Sequence, residues 1–240
     1  MTTTDPHSGR TTMIDLVALD IAGTTLDDGG IVYDALRAAV EERGATVAAS
    51  DLQTWMGTDK VTAIDALLRL GGVTPTTEQV AGSFDRFRAI LRSRYAEQPA
   101  VILPGVADAV RTLRGAGVTV ALTTGFSRDI VDLLLESVGW QVGEDLDAVV
   151  TTDDVPAGRP APYMIHRAME WTGVTDVRRV LAAGDTVVDL RAAKNAGAVS
   201  VGVLTGQTPR EALEAEPHDH VLASVSALPE LLLGAELVTR

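Results

Sequence analysis

Ile14-Asp15-Leu16-Val17-Ala18-Leu19-Asp20-Ile21-Ala22-Gly23-Thr24-Thr25 is the stretch from which the fold is read. Residues 14–19 make a mostly apolar run that stops at an aspartate and a Gly-Thr-Thr turn. Similar runs recur at residues 118–122, 148–150, 180–183 and 199–203, with a shorter one at 219–222. They are continuous rather than alternating, which is the mark of strands covered on both faces. Helical patterns lie between them, at residues 106–114, 127–138, 161–171 and 187–195, and a last one near 227–233. Strand alternating with helix predicts an α/β fold, with a parallel sheet joined by right-handed crossovers.

One stretch breaks the rhythm. Between the first two runs, residues 29–98 read as helices only, at 31–42, 51–55, 60–70 and 77–95. The expected organisation is a tail at 1–12, a Rossmann-like core at 13–28 and 99–240, and an inserted α-helical cap at 29–98. Asp27-Asp28-Gly29-Gly30 and the segment between Pro99 and Pro104 would be the hinges. Ligands of open α/β sheets sit at the carboxyl ends of the strands. The insertion leaves from that end of the first strand, so it should lie over the site as a lid.

Composition narrows the function. The 240 residues carry a formal net charge of −13, which disfavours nucleic acid and anionic membranes as partners. There is no cysteine, so disulfides, thiolate metal sites and a cysteine nucleophile are excluded. No apolar run is long enough to span a bilayer, and residues 1–12 lack the apolar centre of a secretory signal. The cytoplasm is the expected compartment. A phosphorylated metabolite would need a local positive site within an acidic molecule, most simply a divalent cation.

The strand ends carry the chemistry. Asp20 closes the first strand, where it is either a nucleophile or metal ligand or the cap of a turn. The second ends in Leu122-Thr123-Thr124-Gly125, whose hydroxyl and backbone N–H groups suit a phosphoryl group. The third is followed by Thr152 to Pro160, with Arg159 just before a helix, as an oxyanion clamp or a surface residue. The fourth ends in Gly184-Asp185-Thr186-Val187-Val188-Asp189. Two carboxylates four residues apart converge on one Mg²⁺ or, alternatively, serve the start of the helix as cap and dipole partner.

Taken together in chain order, these ends resemble the haloacid dehalogenase-like superfamily of aspartyl-nucleophile hydrolases, and the resemblance covers the chain after its tail. Most phosphatases of that superfamily have a second aspartate two residues after the nucleophile; Ala22 stands there instead. The motifs Asp20 to Thr25, Thr123 to Phe126, Asp153 to Pro160 and Gly184 to Asp189 look like those of the phosphonatases. Met56-Gly57-Thr58-Asp59-Lys60 matches the Met-Gly-x-x-Lys segment of their cap, whose lysine forms a Schiff base with an aldehyde substrate. Ala63 replaces a histidine of that family, and the C-terminal segment is shorter, both of which point to the sister group of phosphonatase-like hydrolases. The resemblance implies Asp20 as nucleophile, Mg²⁺ held by Asp20, the Ala22 carbonyl, Asp185 and Asp189, and catalytic roles for Thr123, Arg159 and Lys60. Thr24, Met56, Gly57, Thr124 and Gly125 are expected around the substrate.

The resulting expectation is an Mg²⁺-dependent hydrolase of a small phosphonate or phosphate. An alkoxide leaving group would benefit from the proton that an aspartate at position 22 supplies, whereas a carbon leaving group needs an electron sink such as a lysine iminium. Of 20 basic residues only Lys60 and Lys194 are lysine, and arginine forms no imine. The alternatives are an ordinary phosphomonoesterase in which Lys60 is only a charge, and a non-catalytic ligand- or partner-binding protein on the same fold. A homodimer is compatible with either. His218 and His220 read as alternation in an edge strand, Lys194 as a surface residue, and Trp55, Trp140 and Trp171 as packing between elements, with Trp55 and Met56 close enough to Lys60 to line a pocket.

Overall fold

The computed structural model describes residues 14–234, so the expected tail at 1–12 lies outside the described residues. The chain opens with β1 (Leu16–Asp20) and β2 (Leu26–Asp27). Four helices follow, α1 (Ile31–Glu41), α2 (Ala49–Thr54), α3 (Lys60–Leu70) and α4 (Thr77–Glu97). After β3 (Val101–Ile102) come α5 (Val106–Gly115), β4 (Thr119–Thr123), α6 (Arg128–Val138), β5 (Ala148–Val150), α7 (Tyr163–Thr172), β6 (Val180–Gly184) and α8 (Val187–Ala196). The end is built from β7 (Val199–Val203), α9 (Arg210–Glu214), β8 (His220–Leu222) and α10 (Leu228–Leu233).

Six strands form one parallel sheet in the order β5-β4-β1-β6-β7-β8. From β1 the chain moves outward to β4 and β5, then returns to β6 on the other side of β1. The direction of winding therefore reverses between β1 and β6, and in open α/β sheets the ligand crevice lies at that reversal. Asp20 ends β1 and Gly184-Asp185 ends β6.

The sheet is covered on both faces, which explains its unbroken apolar strands. Leu16 and Ala18 face α7 and α8, whose Met164, Ile165, Ala168, Ala192 and Ala193 complete that layer. Val17 and Leu19 face the opposite layer, with Val110 and Leu113 of α5 and Ile130 and Leu134 of α6. Small alanines on the α7–α8 side let two helices sit close to the strands. His220 begins the edge strand β8 and is exposed, and Lys194 pairs with Asp219 at 2.6 Å. Trp140 is buried, but Trp171 is exposed near the end of α7, against the expectation that it packs between elements; its ring faces solvent beyond the apolar stripe of that helix.

The inserted helices pack on one another, and α4 meets α6 of the core. Ile31, Leu36 and Val40 of α1 meet a core that includes Ile64 and Leu67 of α3 and Phe87 and Leu91 of α4. Helix α4 starts with a full capping box between Thr76 and Gln79, and Asp59 caps α3 through the Thr62 N–H. The two crossings into the insertion lie side by side. Leu26-Asp27 and Val101-Ile102 pair as an antiparallel ribbon, a feature too short to stand out in the sequence. Among the described residues no helix is long and apolar enough to cross a membrane.

Phe87 is 1% exposed and stacks on Phe84 with centroids 6.4 Å apart. Phe87→Ala should lower the unfolding free energy by about 3–5 kcal/mol, the usual cost of deleting a buried aromatic ring. Urea denaturation of the two proteins measures it, and a loss under about 1 kcal/mol would contradict a tightly packed helical insertion.

Candidate active site

Asp20 stands at the sheet centre, 5% exposed, where β1 gives way to a tight turn. The turn is held by Leu26 N–H to Ile21 O (2.9 Å), Gly23 N–H to Leu26 O (2.8 Å) and the Thr25 hydroxyl to Asp20 O (3.0 Å). These bonds satisfy the backbone where the strand stops, so the carboxylate is presented at a fixed place. Thr24 donates its hydroxyl to Asp185 Oδ1 at 3.0 Å, tying the turn after β1 to the end of β6.

Asp20, Asp185 and Asp189 are all buried and offer carboxylate oxygens within 4.8 Å of one another. Three such anions repel strongly away from water. Burial first, and the charge of Asp20 second, push the Asp185 carboxyl up to about 7. Arg159 supplies the opposing charge, with Nη2 2.7 Å from Asp20 Oδ1 and Nη1 against Asp189 Oδ1. Its Nε has no hydrogen-bond acceptor and Asp20 Oδ1 has no well-aligned donor, although both are buried. Unfilled hydrogen-bonding capacity on both sides of an ion pair suits a site made for another group.

The donor set fits a hard divalent cation, since buried carboxylate oxygens are what such an ion takes. The three aspartates are not equivalent. Asp189 accepts from Thr186 N–H at 3.0 Å and from the Thr186 hydroxyl, in the capping box of α8, while its other oxygen meets Arg159. Asp20 and Asp185 keep freer oxygens, and Ala22 lines the same chamber.

That chamber, of about 150 Å³, has Asp20, Lys60, Arg159 and Asp185 in its wall. Met56, Gly57, Thr124 and Gly125 line it as well. Trp55 does not, among the residues around the chamber, and is half-buried instead. Thr123 is placed differently from Thr124. It pairs in register with Asp20, and it lines a much smaller neighbouring cavity with Arg159, Met164 and Asp189. Thr123 therefore stands beside Asp20 and Arg159 on the α7 side of the site, without lining the larger chamber. Thr24 is fully buried and reaches the site through Asp185 rather than by lining the chamber.

Lys60 is the first residue of α3, 4% exposed, with its ammonium donating to Thr58 O at 3.1 Å and lying 5.8 Å from the Phe126 ring centroid. Burial, then the positive charge of Arg159, push its pKa down to about 8; Asp20, Asp59 and Asp28 pull the other way. The loop that carries it seats on the core with almost no clearance. A Cβ at Gly57 would stand 2.5 Å from the Thr186 hydroxyl, and Gly57 has φ +78°. A Cβ at Gly125 would stand 2.8 Å from Thr58 O, the carbonyl that holds Lys60. Only glycine permits these approaches.

Several lining residues escaped the sequence reading. Asp28 and Tyr33 come from the start of the insertion, and Thr205, Gly206 and Gln207 from the loop after β7. The last three follow a strand end, where the general position rule would have placed them. Thr205 donates to Gly23 O at 2.6 Å and so braces the turn after Asp20.

Comparison with known proteins agrees with this geometry. The sequence model of the haloacid dehalogenase-like hydrolases matches residues 14–197. Phosphonoacetaldehyde hydrolase of Bacillus cereus (strain ATCC 10987 / NRS 248) is 32% identical over 209 residues, covering 81% of this chain and 77% of that protein. The Bacillus cytotoxicus protein of the same name is 30% identical over 233 residues, covering 91% and 86%. Among solved structures, a hydrolase from Pseudomonas syringae superposes with a TM-score of 0.81 at 23% identity, over 90% of this chain and 97% of that one. A phosphonoacetaldehyde hydrolase-like protein from Oleispira antarctica gives 0.80 at 22% identity, over 97% and 95%. The chain therefore belongs to the haloacid dehalogenase-like hydrolases and is a relative of the phosphonoacetaldehyde hydrolases among them.

Proposed function

We propose that this hydrolase attacks the phosphorus of a small phosphonate or phosphorylated metabolite with the Asp20 carboxylate, and that Lys60 makes it competent for P–C cleavage. The observation that carries the reading is the burial of Lys60 in the same chamber as Asp20 and Arg159, without an ion-pair partner and with its pKa drawn down to about 8. A lysine buried only for structure would keep its charge paired; one that must act as a nucleophile needs access to the neutral amine.

In this reading the helices of residues 29–98 act as a cap over a core of residues 13–28 and 99–240. Lys60 Nζ adds to an aldehyde carbon of the substrate and water leaves, giving an iminium. Asp20 then attacks phosphorus, and the electrons of the P–C bond pass into the iminium to give an enamine. Water hydrolyses the aspartyl-phosphate to free phosphate, and the enamine is protonated and hydrolysed to release aldehyde and Lys60. Arg159 and the backbone at Thr124-Gly125 would bind phosphoryl oxygens, with Thr123 supporting from below. Met56, Gly57 and the chamber walls exclude water from the iminium. Asp20, Asp185 and the Ala22 carbonyl, with Asp189 in support, would hold a Mg²⁺ ion. Such an ion supplies charge neutralisation between carboxylate and phosphoryl oxygens. Ala22 suits a carbon leaving group, which takes its proton from solvent at a later stage. The inner chamber, well under the ~300 Å³ at which drug-sized sites begin, has room for few atoms beyond the phosphoryl group within its own walls.

Asp20→Asn keeps the volume and removes the anion, so phosphate release should fall by several orders of magnitude in a folded protein. A residual rate above a few per cent of wild type, measured with purified protein and a malachite-green assay, would exclude the aspartyl-phosphate route.

Turnover should also vanish in excess chelator and return with Mg²⁺, and Asp185→Ala should raise the Mg²⁺ requirement steeply or abolish activity. Full activity in chelator would remove the metal from the mechanism.

The sign of the pH dependence separates the two roles of Lys60. With phosphonoacetaldehyde, imine formation needs the neutral amine, so the rate should rise roughly ten-fold per pH unit below about 8 and level off above. A lysine used only as a cation gives the opposite slope, with activity lost as pH climbs through about 8. Borohydride reduction in the presence of phosphonoacetaldehyde should leave a covalent adduct on the peptide containing Lys60. No adduct, together with phosphate-ester hydrolysis preserved in Lys60→Arg, would leave the phosphomonoesterase reading, which the absence of a histidine at Ala63 favours.

A further inference from the structure

The inner chamber has a neighbour. A second, more open cavity of about 350 Å³ lies between α1, α2 and the loop after β7. Gly30, Tyr33 and Gln207 belong to the walls of both, so these residues are the partition between them. The partition is bridged by hydrogen bonds. The Tyr33 hydroxyl donates to Gln53 Oε1 at 2.9 Å, and Gln53 Nε2 reaches Thr208 Oγ1 at 3.5 Å, joining insertion to core. Burial and the nearby charge of Asp185 hold the Tyr33 pKa up at about 12, so it remains a donor.

Arg37 lines the outer cavity four residues after Tyr33, one helical turn along the same face of α1. It is half-buried and has no ion pair or hydrogen bond among the described residues. That is unusual in this molecule. Every other described basic side chain except Lys60 and Arg43 is in an ion pair. Arg43 is exposed and lies against Gly82, away from both chambers. Asp34, the acidic residue on the rim of the outer cavity, is directed to Arg94 at 3.8 Å. In a protein of net charge −13, the unpaired cations thus include one in each of two adjoining chambers.

We propose that the outer cavity is a second anion subsite, in which Arg37 receives a carboxylate or second phosphoryl group at the far end of a substrate that reaches past Tyr33. The substrate class is then a phosphonate or phosphate with a second anionic group roughly one helical turn, about 5 Å, beyond the first chamber. Arginine suits this role because its planar fork binds either oxyanion by paired hydrogen bonds. The inference rests on the reading that the inner chamber takes the phosphoryl group.

The test is calorimetric binding to the full-length protein in magnesium buffer. The ligands are inorganic phosphate and three phosphonate series with tails of two to five carbons, ending in methyl, carboxylate or a second phosphonate. Wild type should bind a tail-charged ligand of the best length about ten-fold tighter than its methyl counterpart, the order expected of a charge-assisted pair. The carboxylate and diphosphonate series show which anion the subsite prefers. Arg37→Ala should bring that ratio close to one, and Arg37→Lys should restore part of it, with melting temperature checking the fold of each. Equal affinity for charged and methyl tails in wild type, or a ratio that survives Arg37→Ala, would overturn the subsite while phosphate binding still upheld the inner chamber. If inorganic phosphate and every phosphonate fail to bind, the phosphoryl-site reading falls and the subsite with it.

Discussion

Three carboxylates forced together at the end of a buried sheet are the constraint around which the rest is arranged. Asp20, Asp185 and Asp189 meet because β1 and β6 are neighbours at the point where the winding reverses, and because Asp189 lies one turn into α8. Gathering them costs desolvation and mutual repulsion, which shows in the raised pKa of Asp185. Arg159 opposes the charge from the loop after β5, and the hydroxyls of Thr24 and Thr186 fix two of the carboxylates in place. The centre remains short of positive charge in the protein alone. Strongly perturbed carboxylates gathered at a strand-end crevice are what marks a candidate functional site.

The helical insertion answers a second electrostatic problem. Burial is the main cause that lowers the pKa of the Lys60 amine, and no core strand of this chain carries a lysine there. The loop before α3 brings Lys60 in from above, and its burial depends on core and insertion being in contact. Gly57 against Thr186 and Gly125 against Thr58 are where that contact is closest. Because the Thr58 carbonyl touches Gly125 and also accepts from Lys60, the placement of the amine is tied to how the insertion sits. The short β2–β3 ribbon holds both crossings together, so the insertion is connected to the core by paired strands rather than by two independent linkers.

Much of this was legible along the chain. The apolar runs gave the strands, because a parallel sheet buried on both faces tolerates little else, and the residue after each run gave a place at the crevice. Asp20, Arg159 and Asp185 could be picked out for that reason, as could the oddity of a lysine at position 60 in a chain that otherwise uses arginine. Thr123 has the spacing of a residue at a strand end; it pairs with Asp20 and stands beside Arg159 and Asp189 in the small neighbouring cavity, while Thr124 and Gly125 line the chamber. Asp189 has the spacing of a ligand and that of a helix cap, and its bonds to Thr186 and Arg159 show that capping occupies much of its carboxylate.

By itself, then, the sequence determined the order of the six sheet strands and the main helices, though not the short β2–β3 ribbon or α9, and the chemical types at the strand ends, since these depend on hydrophobic periodicity and on local turns. Tertiary structure alone decided what meets what across the insertion. Tyr33, Arg37, Gln53 and Gln207 come from an amphipathic helix, its neighbour and a distant loop, and nothing in their local pattern distinguishes them from surface residues. Their shared cavity walls arise from the packing of the inserted helices on one another, through side chains such as Phe87, Leu36 and Ile64, and from their contact with the core through α4 against α6 and the loops around Gly57 and Gly125. Burial and pairing belong to that packing, and so does the difference between an arginine that is solvated and one that is held beside a chamber without a partner.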